Sequence, residues 1–242
     1  MGRNFIFILA MAILLMMIFP SIIYSCDEWD GFPITVERIL NDYLNAIGGQ
    51  KAVGKLKNRT ITGKVINDFS SRDIPIYESH HFESFANSSG KYLTKEYTDN
   101  GIYQKGFDGK NGWTSDKGGV KTDNRFNRSK LAWLINPQGI LEIKKYFPDL
   151  KFVGTVEING RMAYVLESPE LKKAHYTLHF DVESGLLIRI GNYWDIEDYR
   201  KVDGVLFPHK IKTSRKGGST VYEFSDINHK KPIDGSVFMM PK

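Results

Sequence analysis

Cys26 is the only cysteine in the chain, and it stands directly behind an apolar run of 15 residues, Phe5 to Phe19, closed by Pro20 and Ser25. A basic start at Arg3, an apolar centre, a helix-breaking proline and a small residue before the cut are the layout of an export signal. A thiol at that junction is placed to carry a lipid that would tether the mature chain to a membrane surface. Ile23 and Ser25 suit the approach to a lipidated cysteine, whereas Tyr24 is bulky where a small residue is usual. Two other outcomes stay open: cleavage near Ser25 that releases a soluble chain with a free thiol, and an uncleaved anchor. The anchor is open because Ile22 and Ile23 extend the run toward the ~20 residues that span a bilayer. Asp27, next to the cysteine, would favour retention in the inner membrane if Cys26 is modified.

Other residues with chemical potential fall short of a site. Gly49-Gln50-Lys51-Ala52-Val53-Gly54-Lys55 has the spacing of a phosphate-binding loop, but Leu56 replaces the magnesium-binding hydroxyl and a helix, not a strand, precedes it. His175 and His179 are four apart, yet Tyr176, Leu178 and Phe180 alternate around them as in a strand. At ~3.3 Å per residue their rings stand roughly 13 Å apart, too far to share a metal, and both read as polar-face histidines. His80 and His81 are adjacent and point to opposite faces of any strand. There is no Gly-x-Ser-x-Gly elbow and no His-Glu-x-x-His helix. Asp195, Glu197 and Asp198 lie beside Arg200 and Lys201 and read as a solvated edge. No enzyme, cofactor, nucleotide or metal is expected; an unrecognised hydrolase is the weakest of three readings.

The elements that must position any site follow from periodicity. Val36, Ile39, Leu40, Tyr43, Leu44 and Ile47 recur at helical spacing, and Gly48-Gly49 ends that helix. A short turn through Ala52, Val53 and Leu56 follows. Period-two alternation then predicts strands over 59–67, 74–85, 91–98 and 102–107, with a short piece at Trp113. A helical island over 124–135 and 137–147 interrupts them. Strands resume over 151–158, 162–167, 174–181, 186–193, 196–201, 205–214 and 220–228, with Asn159-Gly160 as a two-residue hairpin turn. About 217 residues remain after processing, enough to bury roughly 70% of the unfolded surface in one domain without a disulfide. The net charge is +5 and the basic residues are scattered, as at Lys144-Lys145, Lys172-Lys173 and Lys230-Lys231, so no stripe for nucleic acid is present. Mild attraction to anionic lipid headgroups is compatible with this charge.

So many antiparallel strands must close or be covered, because bare edges aggregate. A curved sheet with helices across its open side meets both needs and leaves an apolar concave interior, suited to a hydrophobic ligand. Phe82 and Tyr92 fall on the early strands, where they either fill the core or line an acyl-chain cavity. The helical island is expected to lie as a lid over the sheet, with Leu131, Trp133, Leu134, Ile140 and Leu141 contributing apolar ligand contacts.

Six segments carry a resemblance in a fixed order. They are Tyr43-Leu44-Asn45-Ala46-Ile47-Gly48-Gly49, Gly106-Phe107-Asp108-Gly109-Lys110-Asn111-Gly112-Trp113, Gly160-Arg161-Met162-Ala163-Tyr164-Val165-Leu166-Glu167, Phe180-Asp181-Val182-Glu183-Ser184-Gly185-Leu186-Leu187, Asp198-Tyr199-Arg200-Lys201-Val202-Asp203-Gly204-Val205-Leu206-Phe207-Pro208 and Ile233-Asp234-Gly235-Ser236-Val237-Phe238. Together they resemble bacterial outer-membrane lipoprotein-sorting proteins, the LolA-like superfamily. The resemblance implies a mainly β fold with some α, an incomplete antiparallel β-barrel of about eleven strands with helices covering the concave face. The leader layout sets residues 1–25 as signal peptide and 26–33 as an N-terminal spacer, and the resemblance implies 34–242 as a single half-barrel domain. It further implies a periplasmic carrier or sensor that shields lipid or the acyl chains of a lipoprotein, with no catalysis. The alternative is a membrane-tethered envelope lipoprotein that uses the same fold for protein contacts or sensing. No ligand-controlling polar residue is carried over. The glycine-rich segments, Trp113 and Tyr199 read as folding signatures, and Asp108, Asn111 and Asp203 as turn formers.

Overall fold

Thr35 opens the first long element by accepting a hydrogen bond from the backbone N–H of Arg38, the arrangement that satisfies a free donor at a helix start. The helix, α1, runs Val36–Ala46 and buries Ile39 and Tyr43 on one stripe. It stops at Gly48, whose φ of +126° a residue with a side chain rarely adopts. A short helix, α2, covers Gly49–Val53, the segment with phosphate-loop spacing.

The computed structural model describes residues 28–29, 32–69, 76–123, 130–169, 177–215 and 217–241. The proposed signal peptide, Cys26 and His175 lie outside them. The chain divides after Pro33 into two compact units. The first contains a hairpin of two-residue strands, β1 (Glu28–Trp29) and β2 (Phe32–Pro33), within the segment read as a spacer.

In the second unit six strands follow α2: β3 (Asn58–Asp68), β4 (Tyr77–Asn87), β5 (Tyr92–Thr98), β6 (Gly101–Phe107), β7 (Gly112–Asp116) and β8 (Gly119–Thr122). Helix α3 (Lys130–Ile135), a 3-10 turn at Gly139–Glu142 and helix α4 (Ile143–Tyr146) come next. Seven more strands close the unit: β9 (Lys151–Ile158), β10 (Arg161–Glu167), β11 (Thr177–Asp181), β12 (Leu187–Ile190), β13 (Trp194–Val202), β14 (Val205–Arg215) and β15 (Gly218–Asn228). All thirteen form one antiparallel sheet in the order β8-β7-β6-β5-β4-β3-β15-β14-β13-β12-β11-β10-β9. The sheet is an incomplete barrel, as the sequence implied, with two strands more than the family resemblance suggested. Alternation missed β8, whose four residues are all exposed and offer no apolar parity. Residues 186–193 give only the short β12, because Gly191 takes a φ of +59° and turns the chain.

This order explains the covering helices. The first and last strands of the sheet, β3 and β15, pair at its centre, so its edges are β8 and β9, which are neighbours in sequence. The chain between them has to travel from one edge to the other, and it does so over the concave face. Ala132, Trp133, Leu134, Ile135, Ile143, Tyr146 and Phe147 are buried in the same core as Ile61, Val65, Phe82, Ile211 and Phe224 of the central strands. Helix α1 covers the other half of that face, its Tyr43 ring 5.3 Å from that of Phe180. A smaller core forms where Trp113 packs with Leu93 and Phe238. Among the described residues no helix is long and apolar enough to cross a membrane.

Candidate functional site

The side chains of β3 at Arg59, Ile61 and Val65 share one parity, and that parity faces the core. Arg59 therefore enters the apolar interior with a charge, and it is only 5% exposed. Its guanidinium lies 4.0 Å over the Phe207 ring. Its Nη1 donates to the backbone oxygens of Leu134 at 3.1 Å, Ile135 at 3.2 Å and Asn136 at 3.4 Å. These carbonyls end α3, where a helix leaves its acceptors unpaired and its dipole is negative. Its Nε donates to Nε2 of His229 at 2.9 Å. That bond requires the His229 proton on Nδ1, which faces Oδ2 of Asp203 at 3.6 Å.

Asp203 is held by the β13–β14 turn, where it takes a φ of +51° ahead of Gly204. Its carboxylate accepts from Lys230 Nζ at 2.5 Å and from the His229 backbone N–H at 3.3 Å. The Lys230 hydrogen bond, above all, holds that carboxyl below the usual range. Burial lowers Arg59 to about 9, so it stays charged at neutral pH. Burial, with Arg59 second, lowers His229 to about 4, so His229 is neutral there. Close by, burial raises Tyr43 to about 12, and its hydroxyl bonds that of Tyr199, which donates to Leu187 O at 2.9 Å.

The same segment is fastened at one more point and braced within itself. Gln138 Nε2 donates to the carbonyls of Gly54 and Leu56, each at 2.8 Å, and Asn136 Nδ2 donates to Tyr146 Oη at 3.3 Å. Gly139 lies so close to the Trp133 carbonyl that a Cβ there would collide with it. Between the segment and the sheet remains a space of about 40 Å³, lined by Tyr43, Arg59, Trp133, Leu134, Ile140 and Phe207 among others. A water needs roughly 10–15 Å³ by that measure, so the space takes a few waters and no lipid. Trp133 Nε1 and Ser84 Oγ are buried with no hydrogen-bond partner among the described residues.

Of the residues proposed from sequence, Trp133, Leu134 and Ile140 line that space. Phe82 and Tyr92 are buried on the concave face of the sheet, in the same core. Leu141 does not join them, being 39% exposed on the outer side of the 3-10 turn. Lys130 and Leu131 lie in α3, but the side chain of Leu131 is outside the described residues. His80 and His81 do face opposite sides, one side chain nearly buried and the other half exposed. His179 is buried rather than solvated, because β11 is covered on both faces. Asp195 pairs with Arg189, Glu197 with Lys210 and Asp198 with Arg200, as structural ion pairs. Among the described residues no group of three or more His, Cys, Asp or Glu could hold a metal ion.

Arg59 and His229 belong to no motif in the sequence, and Asp203 reads there only as a turn former. One signal for Arg59 was available: it occupies the buried parity of Arg59-Thr60-Ile61-Thr62-Gly63-Lys64-Val65. Nothing in the sequence signals that residue 229 meets residue 59.

No protein-family model matches the sequence, and no curated protein matches it either. Solved structures do match. A LolA superfamily protein from Nitrosomonas europaea is 11% identical, with a TM-score of 0.55 over 85% of this chain and 98% of that one. A DUF1329 family protein from Desulfovibrio piger is 12% identical, with a TM-score of 0.57 over 84% and 97%. A domain named for outer membrane lipoprotein sorting, from Vibrio parahaemolyticus, is 13% identical, with a TM-score of 0.53 over 84% and 96%. At such identities the likeness is one of fold. The chain therefore shares the fold of the LolA superfamily and of outer membrane lipoprotein-sorting domains.

Proposed function

We propose that this chain is an exported envelope protein that binds a lipid, or the acyl chains of a lipoprotein, on the concave face of its half-barrel and acts as a carrier without catalysis. The observation that carries the reading is the α3–α4 segment itself. Its apolar side chains occupy the concave face as an acyl chain would, and it is fastened from below by Arg59 rather than by strand pairing. Ligand pockets run to roughly 300–1,000 Å³. The space under the segment is about 40 Å³, so a ligand enters only when the segment swings out as a lid. Each buried methylene then contributes about 0.8 kcal/mol. Cys26, if lipidated, would tether the chain and restrict it to one membrane.

The filled interior is also the observation that favours a second reading, a tethered envelope protein using the closed fold for protein contacts or sensing. Native mass spectrometry of the chain purified from membrane and soluble fractions of its host separates the two. A bound acyl ligand, displaced by Leu134→Asp and Ile140→Asp in folded protein, is the expected result. Ligand-free protein in both fractions, or binding untouched by those substitutions, overturns the lid assignment. An added diacyl mass on Cys26 identifies the tether independently.

A further inference from the structure

Why a buried arginine should donate to a histidine, rather than to a carboxylate, has a physical consequence. Arg59 Nε can donate to His229 Nε2 only while the imidazole is neutral. Protonation turns Nε2 into a donor that faces another donor and sets a second positive charge beside the first. The groups that bear on His229 come from each element around it: Arg59 from β3, Asp203 from the β13–β14 turn, and Lys230 from its own strand end. Tyr43 of α1 bears on Arg59 in turn. Asp203 alone would favour the imidazolium, but Lys230 already engages its Oδ1 at 2.5 Å, and the imidazole side chain is almost wholly buried.

We infer that His229 is the positioning residue that aims Arg59 at the end of α3, and that its protonation releases the lid, so that Asp203, His229, Arg59 and the α3 carbonyls form a pH-dependent latch. This rests on the reading of α3–α4 as a lid and goes beyond it by naming what opens it. The sign follows from burial. His229 is lowered to about 4 in the closed form against an ordinary value of 6.5. The latch is therefore whole above pH 6.5 and is progressively lost as pH falls toward 4. Across that window the closed-to-open ratio drops about tenfold per pH unit. The Asp203-Gly204 turn thus does more than reverse the chain: its positive-φ backbone holds the carboxylate at the back of the histidine.

The test is hydrogen exchange of residues 132–147, corrected for intrinsic rates, between pH 7 and pH 4.5 on the chain as purified from its host. Uptake of the apolar fluorophore N-phenyl-1-naphthylamine is read on the same samples. In the native chain, protection of 132–147 should fall about tenfold per pH unit below pH 6 while the β3 and β15 amides hold. His229→Gln keeps an oxygen acceptor for Arg59 and cannot take up a proton, so its lid protection should stay flat with pH. An unchanged pH profile in His229→Gln, or a flat one in the native chain, overturns the latch. Where the variant does not fold, the imidazole titration of native His229 decides: a midpoint near 6.5 with the lid still protected overturns it. Loss of lid protection without fluorophore uptake leaves the latch standing and overturns the lipid-binding reading instead.

Discussion

On the convex face, Glu197, Lys210, Glu223 and Lys64 stand in one row across β13, β14, β15 and β3, facing each other in register. Lys210 meets Glu197 at 2.9 Å and Lys64 meets Glu223 at 3.0 Å, and all four side chains are exposed by more than a third. On the concave face Arg59 brings a charge into the core, with no carboxylate in contact among the described residues, and ties the sheet to the covering helix. Water decides the difference. Exposed pairs gain little because solvent already screens them. A buried charge has lost its hydration, so each hydrogen bond that replaces it matters and the loss of one is felt in full. The convex row is a set of screened surface pairs, whereas the concave arginine joins β3 to the end of α3 inside the core.

Arg59→Leu should break this contrast most. It strips His229 and the carbonyls of Leu134, Ile135 and Asn136 of their partner, each unpaired buried group costing about 1–3 kcal/mol, read in denaturant unfolding or in lid protection at pH 7. Leu134→Ala follows, at about 2–4 kcal/mol, by opening a cavity against the sheet. Gly139→Ala pushes a methyl group against the Trp133 carbonyl and should cost about 1–3 kcal/mol, read as faster exchange in 132–147 with the sheet unchanged. Phe207→Leu keeps an apolar side chain under the guanidinium and removes the ring face, at about 1 kcal/mol. Lys64→Ala, on the convex row, should cost less than about 0.5 kcal/mol and fade with added salt. If Lys64→Ala proved as costly as Arg59→Leu, the contrast between the faces would not hold.

Features set by local spacing agree with the structure. The stripe Ile39, Tyr43 and Ile47 and the glycine stop at Gly48 fixed α1. Alternation through Arg59–Val65 and through 205–214 gave β3 and β14 to within a residue or two at each end. Trp133 and Leu134, apolar positions in a helical island, lie in α3 and are buried in the main core. Leu141 shows the limit: on a regular helix it would sit next to Leu134's stripe, but a 3-10 turn rotates it outward.

What the sequence determined by itself was therefore everything carried by nearest neighbours along the chain. Strand and helix periods and the turn residues are all written within a few residues of each other. The tertiary structure decided the rest, because it depends on contacts across large sequence separations. Pairing of β3 with β15 put the sheet's two edges at the ends of one connection, which forced that connection over the concave face. The same pairing brought His229, at the end of β15, to Arg59, at the start of β3, 170 residues earlier. Neither the burial of that arginine nor the neutral state of that histidine has a local cause, since both arise from water being excluded only once the two halves of the sheet meet.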